Sequence, residues 1–254
     1  CFGMSTGIYY APGSYASLEE LADCCRVVAN YGGIHASHIR DESDYNIGLI
    51  ASIREVVEIA RRSGVKSEIA HVKCLGPASW GKAAEVIEII ESARAAGMDI
   101  TCDQYPYTAS GSSITGSLVP RWAQVGGRDG LVARLRDPEA RARMKRDIEA
   151  NYVRRGGPER LVVALFPEEA RYEGKSMKEV ASLLAVDPAE AAMILLERSD
   201  ASFVSHVIRE EDLELFMRWG LTMPGSDGSS LAVEGPLATG WPHPRNFGTF
   251  PRVL

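Results

Sequence analysis

No apolar run in the chain approaches the roughly 20 residues that would span a bilayer, so the sequence holds no transmembrane helix and a soluble protein is expected. Positive charge is not in excess. Twenty-eight Lys and Arg stand against 34 Asp and Glu for a net charge of -6, and the basic residues are dispersed except around Arg134 to Arg155. That balance argues against nucleic acid as the main partner. Cysteine is scarce and odd in number: Cys1, Cys24, Cys25, Cys74 and Cys102 include no CxxC spacing. Reduced, mostly buried thiols are expected rather than a disulfide framework, which points to a cytoplasmic location. No glycine-rich phosphate fingerprint follows any strand-like run, which weakens a dinucleotide-binding reading. Neither an internal repeat nor a low-complexity tract is visible.

What is present is a regular alternation. The 254 residues, 45% of them hydrophobic, can fill the core of one large α/β domain or two small ones. "SLEELADCCRVVANYGG" opens with Ser17 and Glu20 in capping-box spacing and carries Leu18, Leu21, Cys25 and Val28 on one face. "IHASHI" then reads as a strand. "NIGLIASIREVVEIARRSG" is a second helix, "VKSEIAHV" a second strand, "SWGKAAEVIEIIESARAAG" a third helix and "MDITCD" a third strand. Strands alternating with long amphipathic helices predict a parallel sheet with right-handed crossovers, as a barrel or a doubly wound sheet. His38, His71 and Asp103 all fall at the C-terminal ends of strands, where the mouth of a (β/α)8 barrel lies, and this favours the barrel.

The middle of the chain changes character. "RDPEARARMKRDIEANYVRRGG" is charged and helical, and Arg134 to Arg155 reads as one solvated face. "RLVVALF" predicts a strand, and "KSMKEVASLLAVDPAEAAMILLERS" two helices, the second starting at Asp187-Pro188. Residues from about 121 to 200 are expected to form a helical insertion over the barrel mouth, after which "ASFVSHV" and "LTMPGSDG" resume its strands.

The chain has five histidines, and two of them end successive strands in the same relation to a cation, as His38-Ile39-Arg40 and His71-Val72-Lys73. A single strand-end histidine most simply caps backbone carbonyls. A pair on neighbouring strands, with Asp227 ending a later one, offers two imidazoles and a carboxylate, a donor set that suits a zinc-type ion with an open position.

"GMSTGIYYAPGSYAS", "GGIHASHIRDES", "EIAHVK", "CDQYPYTASGSS", "PGSDG" and "HPRNFGTFPRVL", in that order along the chain, together resemble the D-aminoacylase (N-acyl-D-amino-acid deacylase) family of the amidohydrolase superfamily. The resemblance implies a (β/α)8 TIM-type barrel and zinc-dependent hydrolysis of the amide of N-acyl-D-amino acids, at one or two Zn2+ ions. It makes His38 and His71 metal ligands on the fifth and sixth strands and Asp227 the general base that shuttles a proton from water to the leaving amine. It places Lys73, Arg245, Tyr10, Tyr105 and Tyr107 around the substrate, where a guanidinium or ammonium meets the free carboxylate. The family also carries a His-x-His pair on the first strand and a bridging cysteine on the second. Neither is in this chain, so the expectation is a segment, residues 1–254, of the later barrel strands with the insertion inside it.

Other readings stay open on the residues alone: another superfamily hydrolase, dihydroorotase-like or dipeptidase-like, or a non-catalytic remnant that binds carboxylates. His35, an odd number of positions from His38 on one strand, faces the other way and reads as structural. His206 reads as an ordinary, partly buried histidine. Asp103 could be a ligand but reads more simply as a residue fixing "YPY" by hydrogen bonds. For Arg245 the alternative is a surface ion pair, for Lys73 a backbone contact, and for the three tyrosines aromatic packing.

Overall fold

A computed structural model describes residues 1–254. In chain order it holds β1 (Gly3–Gly7), α1 (Leu18–Asn30), β2 (Ile34–His38), α2 (Leu49–Ser63), β3 (Lys66–Ile69), α3 (Ala83–Ala95) and β4 (Ile100–Gln104). There follow β5 (Ser110–Ser113), α4 (Ile114–Leu118), α5 (Gly127–Arg136), α6 (Pro138–Arg154), β6 (Leu161–Leu165), α7 (Met177–Leu184), α8 (Pro188–Arg198) and β7 (Ser202–Ser205). The last elements are α9 (Glu210–Arg218), β8 (Thr222–Pro224) and α10 (Arg245–Val253). No helix is long and apolar enough to cross a membrane.

These elements fall into two compact units. The first comprises Cys1–Tyr107, Ile208–Asp227 and Gly248–Leu254. Its sheet runs β1-β2-β3-β4-β8, with each strand parallel to its neighbour. The helices form where the local signals lie. Ser17 accepts a hydrogen bond from the Glu20 amide at 3.1 Å and starts α1. At the other end of α2, Gly64 takes the left-handed conformation and donates its N–H to Ala60. Asp212 caps α3 from α9 by accepting from the Gly81 and Ala83 amides at 2.7 and 3.3 Å. Ile53, Val56, Val86 and Ile90 of α2 and α3 pack on Ile69, Ile100 and Cys102 of the sheet, so the helices cover one face of β3 and β4. The parallel α/β architecture agrees with the sequence pattern. The sheet is open, with β1 and β8 at its edges.

The second unit comprises Thr108–Val207 and Gly228–Phe247. It is wider than the segment from 121 to 200 and is not purely helical, because it contains an antiparallel sheet ordered β5-β7-β6. Here one expectation is corrected: "SFVS" does not resume the parallel sheet. As β7 it pairs with β5 and β6, since Phe203 is buried in the second unit's core beside Phe166, Val163 and Leu196. The charged stretch from Arg134 to Arg155 is likewise not one solvated helix. Asp137 breaks it, accepting from the Ala140 amide at 2.8 Å with Pro138 in the first turn of α6. The α6 helix buries Met144, Ile148 and Tyr152, and Arg155 is itself buried, donating to the Ser117 carbonyl at 3.2 Å.

Candidate metal centre

Strand periodicity sorts the residues of β2. His35 and Ser37 are buried on the face that β3 fills with Ser67 and Ile69, the side of the helices, while Ala36 and His38 point to the opposite face together with Glu68 of β3. His35 is therefore structural. Its Nε2 lies 2.9 Å from Thr6 Oγ1, which donates to Ser37 Oγ at 3.0 Å, and burial lowers its pKa to about 4.

The residues after His38 explain how the loop is built. Arg40 turns away and ties down the neighbouring loop, with Nε donating to both oxygens of Glu55 at 3.0 and 2.9 Å and the other nitrogens donating to the Ser14 and Ala16 carbonyls. The buried carboxylate of Asp41 accepts from the amides of Ser43, Asn46 and Gly48 at 2.9, 2.6 and 3.0 Å. That clasp closes the loop, and Glu42 lands beside the histidines. Its carboxylate is 3.7 Å from His38 Nε2 and 3.3 Å from His71 Nδ1.

His71 follows β3 with a left-handed backbone, φ 37°. Its N–H donates to Asp103 Oδ1 at 2.6 Å, and the next amide, Val72, donates to the Asp103 carbonyl at 2.9 Å. The His38 and His71 rings meet edge to face with centroids 4.4 Å apart. Lys73, buried to 3% exposure, places Nζ on Glu42 and 2.7 Å from His71 Nδ1. Burial works to raise the Glu42 carboxyl, but Lys73, His38 and His71 outweigh it and hold the group well below the usual carboxylate range.

The other predicted site residues are placed as follows. Tyr10 packs on His38 with centroids 5.0 Å apart, and Tyr9, which the sequence did not single out, lies at 5.2 Å. Tyr105 is buried with its ring 5.8 Å from Lys73 Nζ. Tyr107 instead lies under the Arg252 guanidinium, 5.2 Å from its ring centre. Asp227 is exposed in the loop after β8, the strand beside β4, and its φ is 46°. Arg245 belongs to the second unit. There it borders a cavity of about 310 Å³ with Ser112, Phe203 and His243, and it lies so close to Gly111 that a Cβ at that glycine would come within 3.0 Å of Nη2. Buried His243 orients this turn, its Nδ1 accepting the Arg245 N–H at 3.0 Å and its Nε2 lying 2.8 Å from the Ala109 carbonyl.

Two further residues depart from expectation. Asp103 holds His71 rather than the "YPY" tyrosines. His206 is exposed rather than partly buried. Glu42 and the Glu68–Asp103 pair were missed by sequence reasoning. Burial first, and the Asp103 carboxylate second, push the Glu68 carboxyl above the usual carboxylate range. The one sequence signal for Glu42 was its position four residues after His38 in "HIRDE".

His38, Glu42 and His71 bring their donor atoms within 4.8 Å of one another. Two imidazoles and a carboxylate fit a zinc-type ion, and the Lys73 ammonium stands beside them, 2.7 Å from His71 Nδ1.

No family model matches the sequence. The chain is 32% identical over 252 residues to an N-acyl-D-glutamate deacylase of Alcaligenes xylosoxydans xylosoxydans, covering 99% of this chain and 42% of that protein. It is 31% identical over 252 residues to a D-aminoacylase of the same organism, again covering 99% and 42%. A solved D-aminoacylase, described as defining a novel subset of amidohydrolases, superposes with a TM-score of 0.72 at 26% identity over 99% of this chain and 42% of that one. The N-acyl-D-glutamate deacylase of Bordetella bronchiseptica, solved with zinc and a phosphonate mimic of the tetrahedral intermediate, superposes with a TM-score of 0.73 at 25% identity over 100% and 45%. The chain thus spans less than half the length of each of these relatives.

Proposed function

We propose, for a chain that belongs to the D-aminoacylase family of the amidohydrolase superfamily, that the polypeptide carrying it hydrolyses N-acyl-D-amino acids to a carboxylate and a free D-amino acid. The observation that carries the reading is the pair His38 and His71, 4.4 Å apart at the ends of adjacent parallel strands, in a chain whose relatives are deacylases. The five parallel strands are part of a (β/α)8 barrel on this reading, and the second unit is an insertion within it.

His38 and His71 would hold the ion, with Glu42 beside them. Zinc, present in a related deacylase, would supply Lewis acidity to amide hydrolysis there. Asp227 is the general base: its carboxylate takes a proton from the attacking water and returns it to the departing amine nitrogen, a shuttle worth typically about 10²–10⁴-fold. Glu42 fixes the Lys73 ammonium through their ion pair, and Lys73 draws the substrate's free carboxylate toward the histidines. Arg245 is the second cation proposed for that carboxylate, on its chemistry and its place in the "HPR" motif. Tyr10 walls the site beside His38, Tyr105 backs Lys73, and Tyr107 is the third tyrosine proposed for the substrate.

The test is zinc content together with hydrolysis of paired N-acetyl-D- and N-acetyl-L-amino acids by the intact polypeptide. Turnover of the D-series is expected, with His38→Ala and His71→Ala each losing zinc and activity together. Full zinc in both variants, or no D-specific hydrolysis by the zinc-loaded protein, refutes the reading.

A further inference from the structure

We propose that Asp103 is a positioning residue that sets His71 at the metal centre and braces the loop carrying Asp227; this rests on the reading of His71 as an ion ligand. The backbone of His71 is in a region that L-residues with a Cβ avoid, so something outside the residue must hold it there. Asp103, on the adjacent strand, does so with two acceptors. Its Oδ1 takes the His71 N–H at 2.6 Å and its own carbonyl takes the Val72 N–H at 2.9 Å. A bond from an amide to a carboxylate is among the stronger hydrogen bonds available to a backbone.

The same carboxyl group also meets the loop after β8. Gly225 of "PGSDG" packs against it so closely that a Cβ there would come 2.9 Å from Asp103 Cγ, and the Gly225 N–H donates to the Gln104 carbonyl at 3.1 Å. Asp227 follows two residues later. One side chain that touches no reacting atom thus ties the backbone of a proposed ligand to the strand end that precedes the proposed base. Outer partners of this kind orient ligands, and their loss typically weakens metal binding about 10–100-fold.

Zinc affinity of the intact polypeptide, measured by competition with a chromophoric chelator, distinguishes the outcomes for Asp103→Ala, Asp103→Asn and His71→Ala. Asp103→Ala is expected to weaken zinc about 10–100-fold. Asp103→Asn keeps an oxygen facing the His71 amide and is expected to restore affinity close to wild type. If far-UV circular dichroism shows that Asp103→Ala does not fold, Asp103→Ser, still polar but too short to reach the amide, is measured in its place and should show the same loss. Wild-type affinity in Asp103→Ala or Asp103→Ser, or an equal loss in Asp103→Asn, overturns the proposal. Wild-type affinity in His71→Ala overturns the ligand reading and this proposal with it, whereas loss in His71→Ala beside an intact Asp103→Ala overturns this proposal alone.

Discussion

Replacing Glu42 by Gln removes the anion from a buried cluster while keeping its shape. Lys73 is 3% exposed and its ammonium sits on the Glu42 carboxylate, so the substitution leaves a positive charge with no anion of its own and little water. Breaking one side of a buried pair typically costs about 3–5 kcal/mol. The alternative for Lys73 is to shed its proton, which from the ordinary lysine pKa of about 10.4 costs about 4.6 kcal/mol at pH 7. The two routes agree, and Glu42→Gln is expected to lower stability by about 3–5 kcal/mol in urea unfolding at pH 7. Removing both charges as Glu42→Gln with Lys73→Met should return most of that loss, because the penalty belongs to the orphaned charge rather than to the missing contact. A loss below about 1 kcal/mol, the range of exposed pairs, or a double variant no more stable than Glu42→Gln, would show that the pair is hydrated and the energetics drawn from its burial are wrong.

Asp227→Asn keeps nearly the same shape but cannot accept a proton, so kcat should fall by about 10²–10⁴ with the fold and zinc content unchanged; normal turnover eliminates the shuttle. Arg245→Ala should cost about 1.5–3 kcal/mol in kcat/KM for the free acid and much less for the corresponding amide; equal losses on both substrates mean a structural arginine. His35, with its pKa lowered to about 4 by burial, is neutral in the folded chain, so it contributes stability that is fully present above the unfolded value of about 6.5 and is lost as pH falls toward about 4. The full effect is on the order of 3 kcal/mol, and His35→Gln should flatten the acid side of the stability profile; identical slopes in both proteins would rule this out.

The β/α order was legible because its signals are local. Ser17 caps α1, Gly64 ends α2 and Asp187-Pro188 starts α8 through bonds within a few residues of each. His38 and His71 were legible for a related reason, since equal placement after successive parallel strands brings two side chains together at the C-terminal end of the sheet whatever surrounds them. Glu42 was not, because it reaches the histidines only after Asp41 has folded the loop back through amides up to seven residues away. Nor was the grip of Asp103 on His71, which depends on the pairing of β3 with β4 and joins residues 32 apart. The strand "SFVS" marks the limit most clearly. Its apolar pattern suits either sheet, and the choice was made by burial of Phe203 among helices α7 and α8 and the strand β6. Sequence periodicity determined which segments became helix or strand and which strand ends carried histidine. Which segments met, and therefore which carboxylates stand beside those histidines, was decided by long-range burial and strand pairing, whose free energy is released only when the chain has closed on itself.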